Sequence, residues 1–323
     1  MTPLALGLAV SAGADPLAWS RTLALVERAD ELGLHSAWLP EHHFHRNATP
    51  SPLLALSAFA ARTRRIRLAT TSLLLPVQHP VHVAAQVARL DQLSQGRVLL
   101  GLGRGFRRPL FEAFGVAAAT KRDRFDEALE TMLAAWSGAT LSLDGAHFGA
   151  ADAAPFRLGL RPHQRPHPPL VVAAFGPKGL AQAARHGLPY LASPMEGLPL
   201  LEENYARWRE DLRAELDPRA PEVPVMRTAF VADDDASAAR VRNALAQEMR
   251  PALGGPTPKA LARASEGPIE DRILVGTRNE VADRIADYRA RLGMDLLVVR
   301  TEGPGAKPAE RDRSLEQLVA LAG

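Results

Sequence analysis

The chain has 323 residues, of which 46% are hydrophobic and 23% are charged, a composition typical of globular proteins. It contains no cysteine, so disulfides and thiolate chemistry are excluded. The net charge is +3, and arginines interleave with acidic residues, which indicates a solvated surface rather than a nucleic-acid-binding stripe. No apolar run approaches the roughly 20 residues of a membrane helix. We therefore expect a cytoplasmic protein with no membrane or nucleic-acid partner.

Short strand-like runs alternate with amphipathic helical stretches along the whole chain. The first apolar run could belong to a secretory signal, but no Lys or Arg precedes it, so we predict a strand there. The predicted strands are 4–10, 36–39, 66–75, 97–102, 170–174, 190–193, 225–231 and 295–300. The predicted helices are 19–32, 53–62, 81–93, 122–136, 180–185, 200–212, 236–249 and 280–292. This alternation predicts a parallel sheet covered by helices.

With eight predicted strands, each followed by a helical stretch or a loop, the pattern predicts an α/β fold of the (β/α)8 TIM-barrel type, with insertions in the βα loops. No linker or composition shift separates two parts, so a single domain spanning 1–323 is expected. Two stretches, 137–169 and 251–268, break the alternation, and long connections of this kind are often functional loops. We expect the second, which contains several Gly and Pro residues, to be a lid over the site.

The strongest local signal for chemistry follows the second predicted strand, where Glu41, His42, His43, Phe44 and His45 are consecutive. Barrel enzymes carry their catalytic groups at the carboxyl ends of strands, and histidine can exchange a proton near neutral pH. A structural role in a loop is the alternative. A zinc site is disfavoured, because adjacent residues on an extended segment point to opposite faces.

A second candidate site follows the fourth predicted strand, in the sequence Gly101-Leu-Gly-Arg-Gly. The dinucleotide-binding fingerprint requires a third glycine where Phe106 stands, so that fold is not predicted. Arg104, flanked by small residues, is suited to clamp a phosphate or carboxylate, although a structural ion pair with Glu112 is an alternative. After the fifth strand, a turn leads into a helix whose free amide groups attract phosphate, with Lys178 adding positive charge.

Several extended segments together resemble the bacterial luciferase-like flavin-dependent monooxygenase family, over almost the whole chain. They are WLPEHHF (38–44), LLPVQHPV (74–81), LDQLSQGR with GLGRG and FEAFG (90–115), RPHQRPHPPLVVAA (161–174) and GTRNEVADRI (276–285). The combination is specific for the family but not for one substrate.

The resemblance implies a barrel that holds flavin mononucleotide (FMN) at its carboxyl mouth. It implies that His42 is the catalytic histidine with Glu41 beside it, and that Thr71 and Ser72 lie against the flavin ring, in some members through a non-proline cis peptide. It implies that Arg104 binds the flavin phosphate. The other half of the implied phosphate site is the turn of Ala174, Phe175, Gly176, Pro177 and Lys178. Family members often carry a Ser or Thr hydroxyl where this chain has Phe175 and Pro177.

The activity implied by the resemblance is a monooxygenase in which reduced FMN (FMNH2), supplied by a separate flavin reductase, reacts with O2 to form a peroxyflavin that oxidises a small organic substrate. A homodimer is expected, and no metal. The nearest alternative is hydride transfer with the deazaflavin F420 in the same superfamily. Those relatives tend to carry Asp-His-Phe where this chain has Glu41 to Phe44, which favours FMN. A non-catalytic flavin-binding protein and a metal-dependent hydrolase are further alternatives.

Overall fold

The computed structural model describes residues 3–11, 16–44, 48–149, 152–174, 176–249, 259–264 and 266–323. The chain divides into two compact units. The N-terminal unit comprises Ser11–Asp30 and Trp38–Leu170, and the C-terminal unit comprises Met1–Val10, Glu31–Ala37 and Val171–Gly323. Within the described residues, every helix is too short or too polar to cross a lipid bilayer.

Strands and helices alternate along the described chain. The strands are β1 (Ala5–Ala9), β2 (Ser36–Leu39), β3 (Arg67–Leu74), β4 (Val98–Gly103), β5 (Leu170–Ala173), β6 (Tyr190–Leu191), β7 (Pro224–Ala232), β8 (Ile273–Thr277) and β9 (Leu296–Arg300). The helices are α1 (Pro16–Glu31), α2 (Pro52–Arg62), α3 (Pro80–Leu93), α4 (Arg108–Ala113), α5 (Lys121–Ser137), α6 (Pro177–Arg185), α7 (Leu198–Asp211), α8 (Asp235–Glu248), α9 (Lys259–Ala264), α10 (Arg278–Leu292) and α11 (Pro308–Ala322). Short 3-10 turns occur at Leu75–Val77, Ala118–Thr120 and Ile269–Asp271.

The predicted parallel α/β architecture is confirmed, and each predicted strand and helix overlaps an observed one. The described chain has nine strands rather than eight, so the eightfold count is not confirmed. The unpredicted strand is β8, whose apolar run of three residues before Gly276 is too short to be recognised by periodicity. The helices α4, α9 and α11 were also not predicted. The first half of α11 is polar, and its buried positions begin at Ser314.

The C-terminal unit is built on parallel strands. Strand β1 pairs with β9, β9 pairs with the first half of β7, and the second half of β7 pairs with β8. Strand β5 pairs with β6, with Val172 opposite Tyr190 and Ala173 opposite Leu191. All nine residues of β7 are buried. Burial on both faces explains why these strands read as continuous apolar runs in the sequence.

Of the two stretches that interrupt the alternation, residues 137–169 belong to the N-terminal unit. An isolated antiparallel bridge joins Leu141 to Phe156. The buried Asp91 carboxylate anchors the end of the stretch, because it accepts hydrogen bonds from the backbone N and the Nε2 of Gln164, both at 2.8 Å. The second stretch includes α9, but residues 251–258 and 265, on which the predicted lid largely rests, lie outside the described residues.

Strands β3 and β4 of the N-terminal unit approach each other very closely at two glycines of β4. A Cβ added at Gly101 would lie 2.1 Å from the carbonyl oxygen of Thr70, and one added at Gly103 would lie 1.9 Å from Ser72 Oγ. The register between the strands shifts at Ser72. Glycine is therefore required at Gly103 so that Ser72 can lie against the backbone of β4.

This close approach predicts the effect of a single methyl group. We expect Gly103→Ala to lower the free energy of unfolding by about 1–3 kcal/mol, because the added Cβ must displace Ser72. Gly159→Ala is the control, since nothing lies within 4 Å of a Cβ at that position. Urea unfolding of both variants measures the difference, and equal stabilities would contradict the proposed contact.

Candidate functional site

A buried carboxylate lies just beyond the end of β2. Glu41 is 3% exposed, and its Oε2 accepts hydrogen bonds from the backbone N of Leu74 at 2.7 Å and from Gln78 Nε2 at 2.9 Å. Its Oε1 lies 2.8 Å from Nε2 of His43. One carboxylate thus ties the segment after β2 to the end of β3 and orients an imidazole. Buried carboxylates require such partners, because an unpartnered one is costly to desolvate.

The structure distinguishes the two neighbouring histidines. His43 contacts Glu41, and its ring packs edge-on against Phe114 with the centroids 5.0 Å apart. His42 is exposed, and its backbone N donates a hydrogen bond to Thr49 O at 3.2 Å. The side chain that Glu41 orients is therefore that of His43, and the roles implied for His42 and Glu41 near the flavin stay predictions. His45 lies outside the described residues.

The end of β3 has the geometry that the family resemblance implies for some members. The peptide bond between Thr71 and Ser72 is cis. Both residues are partly exposed, whereas Thr70 is fully buried and its Oγ1 donates a hydrogen bond to Gly101 O at 2.9 Å. Leu74, two residues after Ser72, donates its N–H to Glu41. Thr71 and Ser72 therefore lie on the strand whose end the Glu41 carboxylate fixes.

A cluster of cations follows β4. Burial, together with the charge of Arg122, lowers the pKa of Arg104 to about 10, and Asp126 opposes this change. The pKa of Lys121 is lowered by burial and by the charges of Arg104 and Arg122. Cations that lie close together are stabilised by a bound anion. The sequence identified Arg104 here but missed Lys121 and Arg122, which α5 brings close to it.

Glu112 is the residue that the sequence offered as an alternative, structural partner of Arg104. The Glu112 carboxylate pairs instead with Arg108, with 2.6 Å between Arg108 Nε and Glu112 Oε1. This is an exposed pair one helical turn apart on α4.

The second predicted phosphate segment belongs to the C-terminal unit. Ala174 is buried at the end of β5, and Gly176, with φ of +69°, precedes the first turn of α6. Helix α6 begins at Pro177, three residues before the predicted bound of 180, and the turn leads into a helix as predicted. Pro177 has no N–H group, which removes one donor from this turn. Lys178 is exposed, and Phe175 lies outside the described residues.

No cluster of three or more His, Cys, Asp or Glu side chains suited to a metal ion occurs within the described ranges. The chemical groups that the N-terminal unit does bring together are therefore a carboxylate–imidazole pair after β2 and a cation cluster after β4. The first can hold or transfer a proton, and the second can bind an anion.

The sequence profile of the luciferase-like monooxygenase family matches residues 2–296. The chain therefore belongs to the luciferase-like monooxygenase family, as the sequence predicted.

Curated relatives of this chain include oxidoreductases of two kinds. The oxygenase component of a flavin-dependent trigonelline monooxygenase from Acinetobacter baylyi is 25% identical over 86% of this chain and 81% of its own length. An F420-dependent glucose-6-phosphate dehydrogenase from Kineococcus radiotolerans is 33% identical over 62% of this chain and 60% of its own length. The protein y4wF from Sinorhizobium fredii is 40% identical over 51% of this chain, and the match spans only 48% of its own length.

The solved structures that share this fold include two monooxygenases. Monooxygenase RslO1 from Streptomyces bottropensis has a TM-score of 0.82 at 27% identity, with 98% of each chain covered. The oxygenating constituent of 3,6-diketocamphane monooxygenase from Pseudomonas putida, in complex with FMN, also has a TM-score of 0.82, at 20% identity over 99% of this chain and 98% of its own. Proteins of this fold and family thus use FMN or F420.

The hydrogen bonds of Glu41 predict a strong dependence of stability on this residue. We expect Glu41→Ala to lower the free energy of unfolding by about 1–3 kcal/mol, because the buried N–H of Leu74 loses its acceptor. Glu112→Ala is the matched control and should cost no more than about 0.5 kcal/mol, since its ion pair is exposed. Denaturant unfolding measures both values, and a smaller loss at Glu41 than at Glu112 would contradict the assigned role.

Proposed function

We propose that this protein is an FMN-dependent monooxygenase that uses reduced flavin and O2 to oxidise a small organic substrate. The observation that carries the proposal is the cation cluster of Arg104, Lys121 and Arg122 on a chain of this family. The carboxylate–imidazole pair of Glu41 and His43 supports it with a group able to exchange protons. The (β/α)8 barrel implied by the resemblance is part of this proposal.

The side chains of the cation cluster are suited to bind the phosphate of a flavin. Arg104 would hold the phosphate, with Arg122 and Lys121 adding charge, and a bound anion would offset the burial and the repulsion between cations that lower the pKa values of Arg104 and Lys121. The turn of Ala174, Gly176, Pro177 and Lys178 belongs to the C-terminal unit, and its amide groups and one cation are by themselves suited to an anion. Thr71 and Ser72 would lie against the ring. The bound reduced flavin supplies the electrons that activate O2, and the protein supplies binding, orientation and proton control.

Proton control is assigned to the two adjacent histidines. His42, the residue matched to the catalytic histidine, is exposed and accessible to a ligand. In His43, the Nε2 is engaged by Glu41, and Nδ1 makes no hydrogen bond with the described residues. Nδ1 is thus the nitrogen through which His43 can exchange a proton. Glu41 acts through His43, because it fixes the orientation of the ring.

Hydride transfer with F420 is the second candidate function. The similarity to the F420-dependent glucose-6-phosphate dehydrogenase supports it, and the cation cluster fits the phosphate of either cofactor. The FMN complex of the 3,6-diketocamphane monooxygenase and the similarity to the trigonelline monooxygenase favour FMN. The proposal includes a separate reductase as the source of reduced flavin, and a homodimer.

Cofactor binding tests the role of Arg104. We expect Arg104→Ala to weaken the binding of FMN by about 10–100-fold, as the loss of a charge-assisted hydrogen bond predicts, and to leave riboflavin binding unchanged. Arg107→Ala is the matched control, because Arg107 is exposed beside the same loop. Anaerobic titrations with FMN, riboflavin and F420 measure the affinities. Tight binding of F420 with none of FMN in either redox state would contradict the proposal.

Turnover tests the assigned proton transfer. A screen of aldehydes, ketones, sulfur compounds and long-chain alkanes with reduced FMN and O2 identifies a substrate. With that substrate, we expect His42→Ala to lower the turnover number by about 10²–10⁴-fold, the usual contribution of general acid–base catalysis. The control is His82→Ala, an exposed histidine hydrogen-bonded to Gln86 on α3. Full turnover in His42→Ala would contradict the assignment, and tight flavin binding with hydrogen peroxide as the sole product would indicate a flavin-binding protein without monooxygenase activity.

A further inference from the structure

A second buried carboxylate, in the C-terminal unit, has no part in the proposed chemistry. Glu196 is 1% exposed and lies in the loop between β6 and α7. Its Oε2 accepts a hydrogen bond from the backbone N of Ser193 at 2.8 Å. Its Oε1 accepts hydrogen bonds from Asn204 Nδ2 at 2.7 Å and from the Tyr190 hydroxyl. Three donors on three different segments thus converge on one carboxylate.

A fully buried arginine holds the same loop from the other side. Arg227 of β7 donates hydrogen bonds from Nη1 to Ser193 O at 2.9 Å and from Nη2 to Glu196 O at 2.8 Å. Its Nε donates to the Tyr288 hydroxyl at 2.9 Å, and Tyr288 in turn donates to Asp271 O. The groups that accept hydrogen bonds from Arg227 are all neutral. The Glu196 carboxylate is therefore the anion that compensates the buried charge of Arg227.

The loop segment held in this way is the four-residue turn from Ser193 to Glu196. The Glu196 N–H donates to Ser193 O at 3.3 Å, and the Met195 N–H donates to Ser193 Oγ at 3.2 Å. Ser193, Pro194 and Met195 are partly exposed, whereas Glu196 is buried. Three residues of the turn are therefore partly exposed, and hydrogen bonds with the buried Glu196 and Arg227 hold its backbone.

The turn lies at the same sheet edge as a predicted part of the flavin site. Strands β5 and β6 are paired in parallel, with Ala173 opposite Leu191. The turn of Ala174 to Lys178 follows Ala173, and the Ser193–Glu196 turn follows two residues after Leu191. Parallel strands bring their carboxyl ends to one edge, so the two turns are neighbours there.

Opposing effects determine the pKa of the Glu196 carboxyl group. Burial raises the pKa of Glu196, while its hydrogen bonds with Tyr190, Ser193 and Asn204 and the charge of Arg227 lower it, and the balance leaves a pKa of about 7. The other titratable side chains facing it are Tyr190 on β6 and Tyr205 on α7, whose pKa values burial raises well above the usual range. Both tyrosines are therefore neutral when Glu196 titrates.

We propose that Glu196 is a proton-sensitive clamp on the Ser193–Glu196 turn, and that this turn forms a wall of the ligand site at the carboxyl ends of β5 and β6. The first part stands on the geometry of the clamp alone, and the second rests on the proposed function. Glu196 and Arg227 are positioning residues in this proposal, because they reach the site only through the turn.

The mechanism of the clamp follows from the donors around the carboxylate. All three groups donate when Glu196 is charged, and Oε1 already accepts two hydrogen bonds, so a proton on Oε1 requires the Tyr190 hydroxyl or the Asn204 amide to rotate. A proton on Oε2 weakens the hydrogen bond from the Ser193 N–H, because a neutral carboxyl oxygen is a weaker acceptor than a carboxylate oxygen. Protonation also leaves the Arg227 charge uncompensated. The turn is therefore held most firmly when Glu196 is ionised.

Methyl NMR of Met195 tests the clamp without any ligand. In protein labelled at the methionine methyl groups, we expect the Met195 signal, assigned with a Met195→Leu variant, to shift with a midpoint near pH 7. The Met132 signal is the internal control, because Met132 is buried in α5 of the N-terminal unit. In Glu196→Gln, the shift of the Met195 signal should be lost.

Two tyrosine variants keep the test decisive even if Glu196→Gln fails to fold. Tyr190→Phe removes a donor that lowers the pKa of Glu196, so the Met195 midpoint should move to higher pH. Tyr205→Phe is the matched control, because its hydroxyl donates to the backbone oxygens of Tyr190 and Pro224 and not to the carboxylate. A Met195 signal that does not shift in the unaltered protein, or a midpoint that is equal in both tyrosine variants, would overturn the clamp.

Flavin titrations on either side of pH 7 test whether the Ser193–Glu196 turn forms a wall of the ligand site. We expect the dissociation constant of FMN to rise several-fold as Glu196 is protonated, and Glu196→Gln to abolish this dependence. FMN affinity that is independent of pH while the Met195 signal titrates would retain the clamp and overturn its link to the site. If no flavin binds at any pH, the proposed function and the wall both fail, and the NMR result still decides the clamp.

Discussion

The hydrogen bonding of the Glu41 carboxylate is the constraint on which the candidate site of the N-terminal unit depends. A buried carboxylate must satisfy both oxygens, and here one oxygen is committed to the end of β3 and the other to His43. The same contact therefore fixes the position of the Thr71–Ser72 peptide relative to the imidazole. Gly103 completes this arrangement by leaving room for Ser72. The Glu41 carboxylate and the missing side chain of Gly103 thus determine the geometry at the ends of these strands.

The two compact units differ in how their buried charges are compensated. In the C-terminal unit, Arg227 is compensated internally by Glu196 and by backbone oxygens, so the network is complete without a ligand. In the N-terminal unit, burial and the charge of Arg122 lower the pKa of Arg104 against the opposing charge of Asp126, and burial and the charges of Arg104 and Arg122 lower the pKa of Lys121. Internally compensated charge is typical of positioning, whereas clustered like charge is typical of binding. This contrast is the physical basis for assigning the anion site to Arg104.

Most of the fold could be predicted from the sequence, because strands buried on both faces leave apolar runs and amphipathic helices leave a clear period. Strand β8 was missed because its apolar run is so short, and α11 because its first half is polar. The sequence located the histidine cluster but could not show that Glu41 orients His43, since this depends on how the chain leaves β2. Lys121, Arg122 and Glu196 gave no local signal, because only folding brings them to their partners.

The central claim is that the cations around Arg104 hold the phosphate of a flavin, and the ³¹P NMR titration of bound FMN tests it most directly. A phosphate monoester loses its second proton with a pKa of about 6 in solution. Clustered cations stabilise the dianion, so the account predicts that the phosphate of bound FMN remains dianionic to a pH at least about one unit lower. A bound phosphate that titrates as in free FMN would contradict the claim.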